Sequence, residues 1–384
     1  MIKRIAHYDE PRKILNGLSA DAISLTEMTE WQHGFLCGLI KEYRPKKIVE
    51  IGVSAGGTTA VLLNTISLLG LNTEIYSIDC SKEYYRGKGK ETGFLAKKAI
   101  AKLYEETENA TGLKLLTGAA IVDFIGSIGN GIDFLVMDTM HICPGEILDF
   151  LVSFPYMRQG SIVVMHDIAM QFGNNNQAYA TQLLLDVVTA DKIVGMDMDT
   201  GFSGYPNIGA FIINEDTGKY IGDVFSALNI PWLYMPEDIR LYRDCYLRNY
   251  DKELIDLFDM ALSNNELILK NKAERKFRML HDWASIIKEL SNRYVYIYGN
   301  GKVGSIIESI FEELGIKVLG HIVSVGEDRK ENVVYISEID RSLNPAIVIG
   351  TGIMLQSRIA EILEQSGITD YIRLSREVLD YILA

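Results

Sequence analysis

The sequence predicts an α/β protein built on two mainly parallel sheets. Three observations carry that expectation. Short apolar runs alternate with stretches of helical spacing through residues 47–167 and again from Arg293, the pattern of strand–helix units joined by right-handed crossovers. A glycine turn follows the first strand of each series: Gly52-Val53-Ser54-Ala55-Gly56-Gly57 in one, Gly299-Asn300-Gly301-Lys302-Val303-Gly304 in the other. Residues 215–290, between the two series, hold no strand pattern. A chain of 384 residues accommodates two or three domains, and the expected boundaries are 1–214, 215–290 for a helical linker, and 291–384.

The elements follow in order. A helix is expected over 26–43, with Trp31, Phe35, Leu36, Leu39 and Ile40 on one face and Pro45 as its stop. Strands are expected over 47–51, 74–78, 113–116, 132–137 and 161–165, with helices over 58–69, 94–106 and 146–157. After a helix over 179–188, the runs 192–196 and 208–213 are separated by too short a loop for a helical crossover, so they should pair antiparallel. Tyr242, Tyr246, Leu254, Leu257, Phe258 and Leu262 indicate helices, broken at Ser263-Asn264-Asn265-Glu266. The second series gives strands over 294–298, 317–323, 346–350 and 371–374, with helices over 305–314 and 356–364.

Composition narrows the function. A net charge of -13 argues against a general nucleic-acid binder, which needs Lys and Arg to displace counterions. Cys37, Cys80, Cys143 and Cys245 form no CxxC or Cys/His cluster, which fits free thiols in a reducing cytosol. No apolar run is long enough for a membrane span, and Met1-Ile2-Lys3-Arg4-Ile5 leads into no signal-peptide core. A cytoplasmic protein without membrane or nucleic-acid partners is expected.

Gly52 and Gly56 sit between a strand and a helix, where backbone N–H groups and the positive end of the helix dipole can face an anion. Carboxylates close the strands that follow. Asp79 ends the second, placed to accept ribose hydroxyls, and Asp138 ends the fourth. His166-Asp167 end the fifth, Glu50 lies just before the turn, and Ala119 follows the third strand where a small residue suits adenine. In an open parallel sheet these ends line one crevice.

Residues 26–213 resemble the class I S-adenosylmethionine-dependent methyltransferases, with their Rossmann-like sheet closed by one antiparallel strand. Val49-Glu50-Ile51-Gly52-Val53-Ser54-Ala55-Gly56-Gly57-Thr58 is similar to that family's first motif and Ile78-Asp79 to its second. The resemblance assigns Glu50, Gly52, Ser54, Gly56, Gly57, Thr58, Asp79, Ala119 and Asp138 to S-adenosylmethionine. The stretch 133–141, ending in Asp138-Thr139-Met140-His141, together with Ser161 to Asp167, resembles the small-molecule O-methyltransferases, including a sugar-modifying and cephalosporin-hydroxylase-like branch. In that branch such positions can hold Mg²⁺, here Asp138, His166 and Asp167. His166 stands where an acidic residue is expected. The other arrangement is a metal-free site in which histidine is the base.

His141 lies three residues past Asp138 and is either the base for the acceptor hydroxyl or a residue that caps the helix near Pro144 or contacts the cofactor. His33 and His281 look like helix-face residues. Tyr84, Tyr85 and Arg86 open a glycine-rich basic loop that is either a lid over an anionic, sugar-like substrate or a solvated loop. Asn174-Asn175-Asn176 and Gly201 to Tyr205 are further candidates for the substrate mouth. Gly299, Gly301 and Gly304 match a dinucleotide fingerprint but lack the carboxylate that should follow about twenty residues later. The segment resembles the small Rossmann-like domains of sugar-modifying enzymes. It suits a nucleotide site or a structural domain that pairs chains as a homodimer. The expected activity is O-methylation of a sugar or related hydroxylated small molecule. A nucleotide-sugar-binding accessory protein and a cephalosporin-hydroxylase-like oxygenase are the alternatives.

Overall fold

Each apolar run between turn residues forms a strand. The computed structural model describes residues 5–107, 112–172, 177–194, 205–324 and 332–383. Its first series comprises β1 (Lys47–Ile51), β2 (Glu74–Asp79), β3 (Leu113–Thr117), β4 (Ile132–Met137), β5 (Met157–His166), β6 (Asp191–Val194) and β7 (Ile208–Ile212). The order across the sheet is β3-β2-β1-β4-β5-β7-β6. β1 pairs parallel with both β2 and β4, so the winding reverses beside β1. β7 runs antiparallel to β5 and β6, the closing hairpin that the short loop predicts.

Strand alternation divides the core between the two faces of the sheet. Val49, Ile51, Leu135 and Met137 are buried with Leu148 and Phe150 on one face. Ile48, Phe134 and Val136 are buried with Phe35, Leu36 and Val61 on the other. The helix Glu30–Tyr43 begins later than the apolar periodicity implies because Thr29 and Gln32 form a reciprocal capping box. Gly52 has φ +92°, and a Cβ there would lie 1.8 Å from the Asp138 carbonyl oxygen. Only glycine allows this approach, which joins the turn after β1 to the end of β4.

Several elements differ from expectation. A helix, Ile121–Ile128, stands between β3 and β4. The helix after β4 ends at Ser153, because Pro155 takes a 3₁₀ turn over Phe154–Tyr156, and β5 therefore starts at Met157. The helices Ile221–Ala227 and Ile239–Asn249 and the first half of Lys252–Leu290 do not form a free connection. They lie within the first of two compact units, Met1–Leu269. Phe225, Trp232, Tyr246 and Phe258 share its core with Leu148 and Phe150, and Tyr242 and Tyr246 donate to the Asp149 carboxylate and the Leu148 carbonyl.

A further difference is at the expected break, 263–266, where the helix Lys252–Leu290 continues without interruption. Asn265 is fully buried. Its side chain accepts the Trp232 N–H at 2.7 Å and donates to the carbonyls of Leu228 and Ala261. The polar residue closes the 228–232 turn onto the helix.

The second unit, Lys270–Ala384, holds β8 (Val295–Tyr298), β9 (Val318–Val323), β10 (Val333–Tyr335), β11 (Ala346–Ile349) and β12 (Tyr371–Arg373). Their order is β10-β9-β8-β11-β12, and every pair is parallel. β10 has only three residues, too few for a legible alternation. Among the described residues, no helix is long and apolar enough to cross a membrane.

Candidate active site

The turn after β1 is held from below and from the side. Asp79 Oδ2 accepts the N–H groups of Val53 and Ser54 at 3.0 and 2.9 Å, and its Oδ1 accepts the N–H of Ser81. Asp79 thus braces the turn it was expected to complement. Glu50 is fully buried beneath it and accepts the hydroxyls of Thr59 and Ser77 at 2.7 and 2.5 Å. Burial outweighs those donors and pushes its carboxyl up to about 7. Thr58 is buried against His33 Nε2 at 3.5 Å, so its side chain faces the protein interior. Gly57 packs on Thr26, and Gly56 on Gly93 and Ala96. Ser54 lies at φ 53° with its hydroxyl toward Glu27. Ala119 is half-buried beyond β3.

Beside this turn, Asp138, His141, His166 and Asp167 converge, each offering one ligand atom within 4.8 Å of the others. β4 and β5 end side by side and deliver Asp138 and His166. His141 and Asp167 take left-handed backbone at φ 62° and 56°, which turns both side chains inward. His166 Nδ1 lies 2.9 Å from Asp138 Oδ1. His141 Nε2 lies 3.1 Å from Asp167 Oδ2 and 3.6 Å from Asp138 Oδ1.

The outer nitrogen of each ring is also occupied. His166 Nε2 faces Gln32 Oε1 at 3.2 Å. His141 Nδ1 faces Thr181 Oγ1 at 3.2 Å and Glu146 Oε1 at 3.3 Å, and Glu146 also accepts the N–H of His141. A ring that donates its outer N–H to oxygen turns a lone pair inward, the support that metal-bound histidines use. The donor set therefore fits a divalent cation. Burial disfavours charge on His141, but Asp167, Glu146 and Asp138 overcome it and hold its pKa up to about 10. His166 is raised too, burial being outweighed by Asp138. Asp167 falls to about 2, because His141, His166 and Asn207 offset its burial.

Gln32, Glu146, Thr181 and Asn207 support the cluster and were missed from sequence. The capping signature at Thr29-x-x-Gln32 was the one available signal for any of them. His33 lies on the helix Glu30–Tyr43, as expected, but on its buried side, and burial together with Arg12 drives its pKa down to about 3. His281 is exposed.

The loop after β2 divides the three substrate candidates. Tyr84 is core, 4% exposed and packed on Phe94. Tyr85 and Arg86 are exposed and both reach Glu27, at 3.0 and 3.2 Å. Asn174-Asn175-Asn176 and residues 201–204 lie outside the described residues; Tyr205 stacks on Phe172. Gly299, Gly301 and Gly304 stand where expected, between β8 and the helix Lys302–Glu313.

Residues 49–168 match the family model of a methyltransferase domain. That span opens inside β1, closes just after β5, and contains the glycine turn, Asp79 and all four residues of the cluster. Among solved structures, the chain is similar to the O-methyltransferase TomG of Streptomyces achromogenes, involved in tomaymycin synthesis and solved with SAM. Identity is 16%, covering 56% of this chain and 92% of that one, with a TM-score of 0.37. It is also similar to an O-methyltransferase of Bacillus cereus solved with SAH, at 17% identity over 54% of this chain and 92% of that one, with a TM-score of 0.35. No curated protein sequence matches the chain. The domain match lies on a sheet that reverses beside the glycine turn and closes with an antiparallel strand, so residues 49–168 of the first unit form a methyltransferase domain on a Rossmann-like sheet.

Proposed function

We propose that the first unit methylates a hydroxyl oxygen of a small, hydroxyl-rich molecule of sugar type. The observation that carries the reading is the cluster of two histidines and two carboxylates against the glycine turn, where Gly52 abuts Asp138. Bound S-adenosylmethionine supplies an electrophilic methyl on its sulfonium. With the Val53 and Ser54 N–H groups of the turn held by Asp79, the uncapped N-terminus of the helix Gly57–Leu68 would present its N–H groups to the methionine carboxylate. Asp79 Oδ1, with one N–H accepted, keeps capacity for a ribose hydroxyl, and Ala119 leaves room for adenine.

The acceptor O–C bond forms as the S–C bond breaks, and the hydroxyl proton leaves. In its neutral form, which a cation held beside it by Asp138 and Asp167 would favour, His141 would take that proton on Nε2, with Nδ1 anchored by Glu146 and Thr181. Asp138, His166 and Asp167 would hold a divalent cation, whose charge would favour the alkoxide form of the acceptor. The imidazole in the set suits Mn²⁺, Fe²⁺ or Zn²⁺ better than Mg²⁺. The domain match favours neither the oxygenase nor the accessory-protein alternative.

The test is calorimetric titration of the full chain with S-adenosylmethionine, followed by methyl transfer to nucleotide sugars and to a catechol, read by mass spectrometry. The absence of heat at high micromolar cofactor would overturn the reading. Transfer to the catechol alone would reject the sugar-type acceptor. His141→Ala should lower kcat by about 10²–10⁴-fold; unchanged turnover would remove His141 as the base.

A further inference from the structure

The second glycine turn has a feature the fold does not require. Gly299 needs glycine because its φ is +116°. Gly304 needs it because a Cβ would meet the Gly299 carbonyl oxygen at 2.1 Å. Gly301 has neither constraint: its φ is -89°, and a Cβ there would meet nothing within 4 Å. The space above it is open to a ligand.

The sheet reverses between β8 and β11, and the loops after both strands border the same crevice. The helices Lys302–Glu313 and Ile353–Gln365 start from these loops. Neither N-terminus has a side-chain cap, so both present free N–H groups. The loops touch: a Cβ on Gly299 would lie 2.7 Å from Thr351 Cγ2.

Two buried acceptors lie beneath them without partners among the described residues, Thr351 Oγ1 and Gln356 Oε1. Gln356 is fully buried, and its Nε2 donates to the Thr351 carbonyl at 3.4 Å, which places the amide under the loop. An unmatched buried amide oxygen is costly unless a donor reaches it. On the rim, Ile353, Met354 and Leu355 are 41%, 89% and 52% exposed. Three adjacent apolar side chains in the first turn of a helix suit a flat ring laid over them.

We propose that this crevice binds a nucleoside diphosphate. The diphosphate lies over Gly301 between the two helix N-termini, the base rests on Ile353 and Met354, and a donor of the ligand meets Gln356 Oε1. A dinucleotide of NAD type fits less well. No carboxylate closes β9, and the Ser324 hydroxyl that follows it is bonded to Tyr298 at 2.9 Å.

Gly301→Asp separates a binding site from a packing feature. Aspartate is a strong N-cap and meets no neighbour at this position, so the fold is retained. Its charge occupies the N–H groups that the diphosphate needs. The full chain is titrated calorimetrically with ADP, UDP, NAD⁺ and inorganic phosphate, without S-adenosylmethionine, so the outcome is independent of the first unit's activity. Saturable binding of ADP or UDP, weaker for NAD⁺ and phosphate, should fall by about a hundredfold in Gly301→Asp, with the melting temperature kept. No binding of either diphosphate at millimolar concentration, or binding unaffected by Gly301→Asp, would overturn the proposal. Phosphate binding as tightly as ADP and UDP would overturn the nucleoside assignment.

Discussion

His166 Nε2 lies 3.2 Å from Gln32 Oε1, a contact spanning 134 residues of sequence. The Thr29 N–H donates to the same oxygen at 2.7 Å, which fixes the orientation of the Gln32 amide. His166 must therefore donate from Nε2, and Nδ1 is turned toward Asp138 and Asp167. A helix cap thus sets the face that a candidate metal ligand presents. Gln32→Leu should weaken Mn²⁺ binding by about 10–100-fold, measured by paramagnetic resonance titration, while leaving S-adenosylmethionine affinity near wild type. Gln32→Glu keeps the acceptor and should keep the affinity. Equal Mn²⁺ binding by the Leu variant would show that the ring is held by other contacts.

Asp79 accepts three backbone N–H groups, two of them from the glycine turn. Removing the carboxylate leaves donors unmatched in a half-buried turn. Asp79→Ala should cost about 1–3 kcal/mol of stability without ligand and weaken S-adenosylmethionine as well. If its role were confined to ribose, the affinity would fall while the ligand-free melting temperature stayed unchanged. Calorimetric melting with and without cofactor decides between these outcomes.

What sequence could reveal tracks the range of each interaction. The strands β1 to β5 and the closing hairpin were legible because alternation and loop length are local signals. Asp138, His141, His166 and Asp167 were legible as strand-end residues, since a parallel sheet gathers such ends. Their pairing was not. Which imidazole faces which carboxylate depends on Gln32, Glu146 and Thr181, brought together by tertiary contacts. Tyr84 shows the converse error: an aromatic beside cations suggests a ligand contact, yet packing on Phe94 makes it core.

Asn265 sits within a 39-residue helix, in a polar stretch that resembles a terminator. Its buried amide instead satisfies one N–H and two carbonyls. Asn265→Leu should lower unfolding stability by about 1–3 kcal/mol, because Trp232 loses the acceptor for its N–H. The exposed neighbour Asn264 provides the control, and Asn264→Leu should change stability by less than about 0.5 kcal/mol. Equal losses in denaturant unfolding would mean that helix propensity, not the buried network, governs this stretch.

Asp149 is buried under Tyr242, whose hydroxyl donates to it at 2.8 Å. Burial pushes its carboxyl up to about 7 from an ordinary 3.8, against that hydrogen bond and with help from Glu146. Between these values the unfolded chain has released this proton and the folded chain still holds it. Stability from this group is full below about pH 4 and is lost as pH rises toward 7, by up to about 1.4 kcal/mol per unit. Glu50 acts in the same sense between 4.5 and about 7. His33 acts in the opposite sense, because its folded pKa is depressed to about 3. The wild-type curve mixes these contributions, and a difference curve isolates one. Asp149→Asn keeps the acceptor for Tyr242 and cannot ionise, so its stability relative to wild type should rise from pH 4 to 7 and level off above. A difference independent of pH in urea unfolding would mean that Asp149 ionises freely in the folded protein.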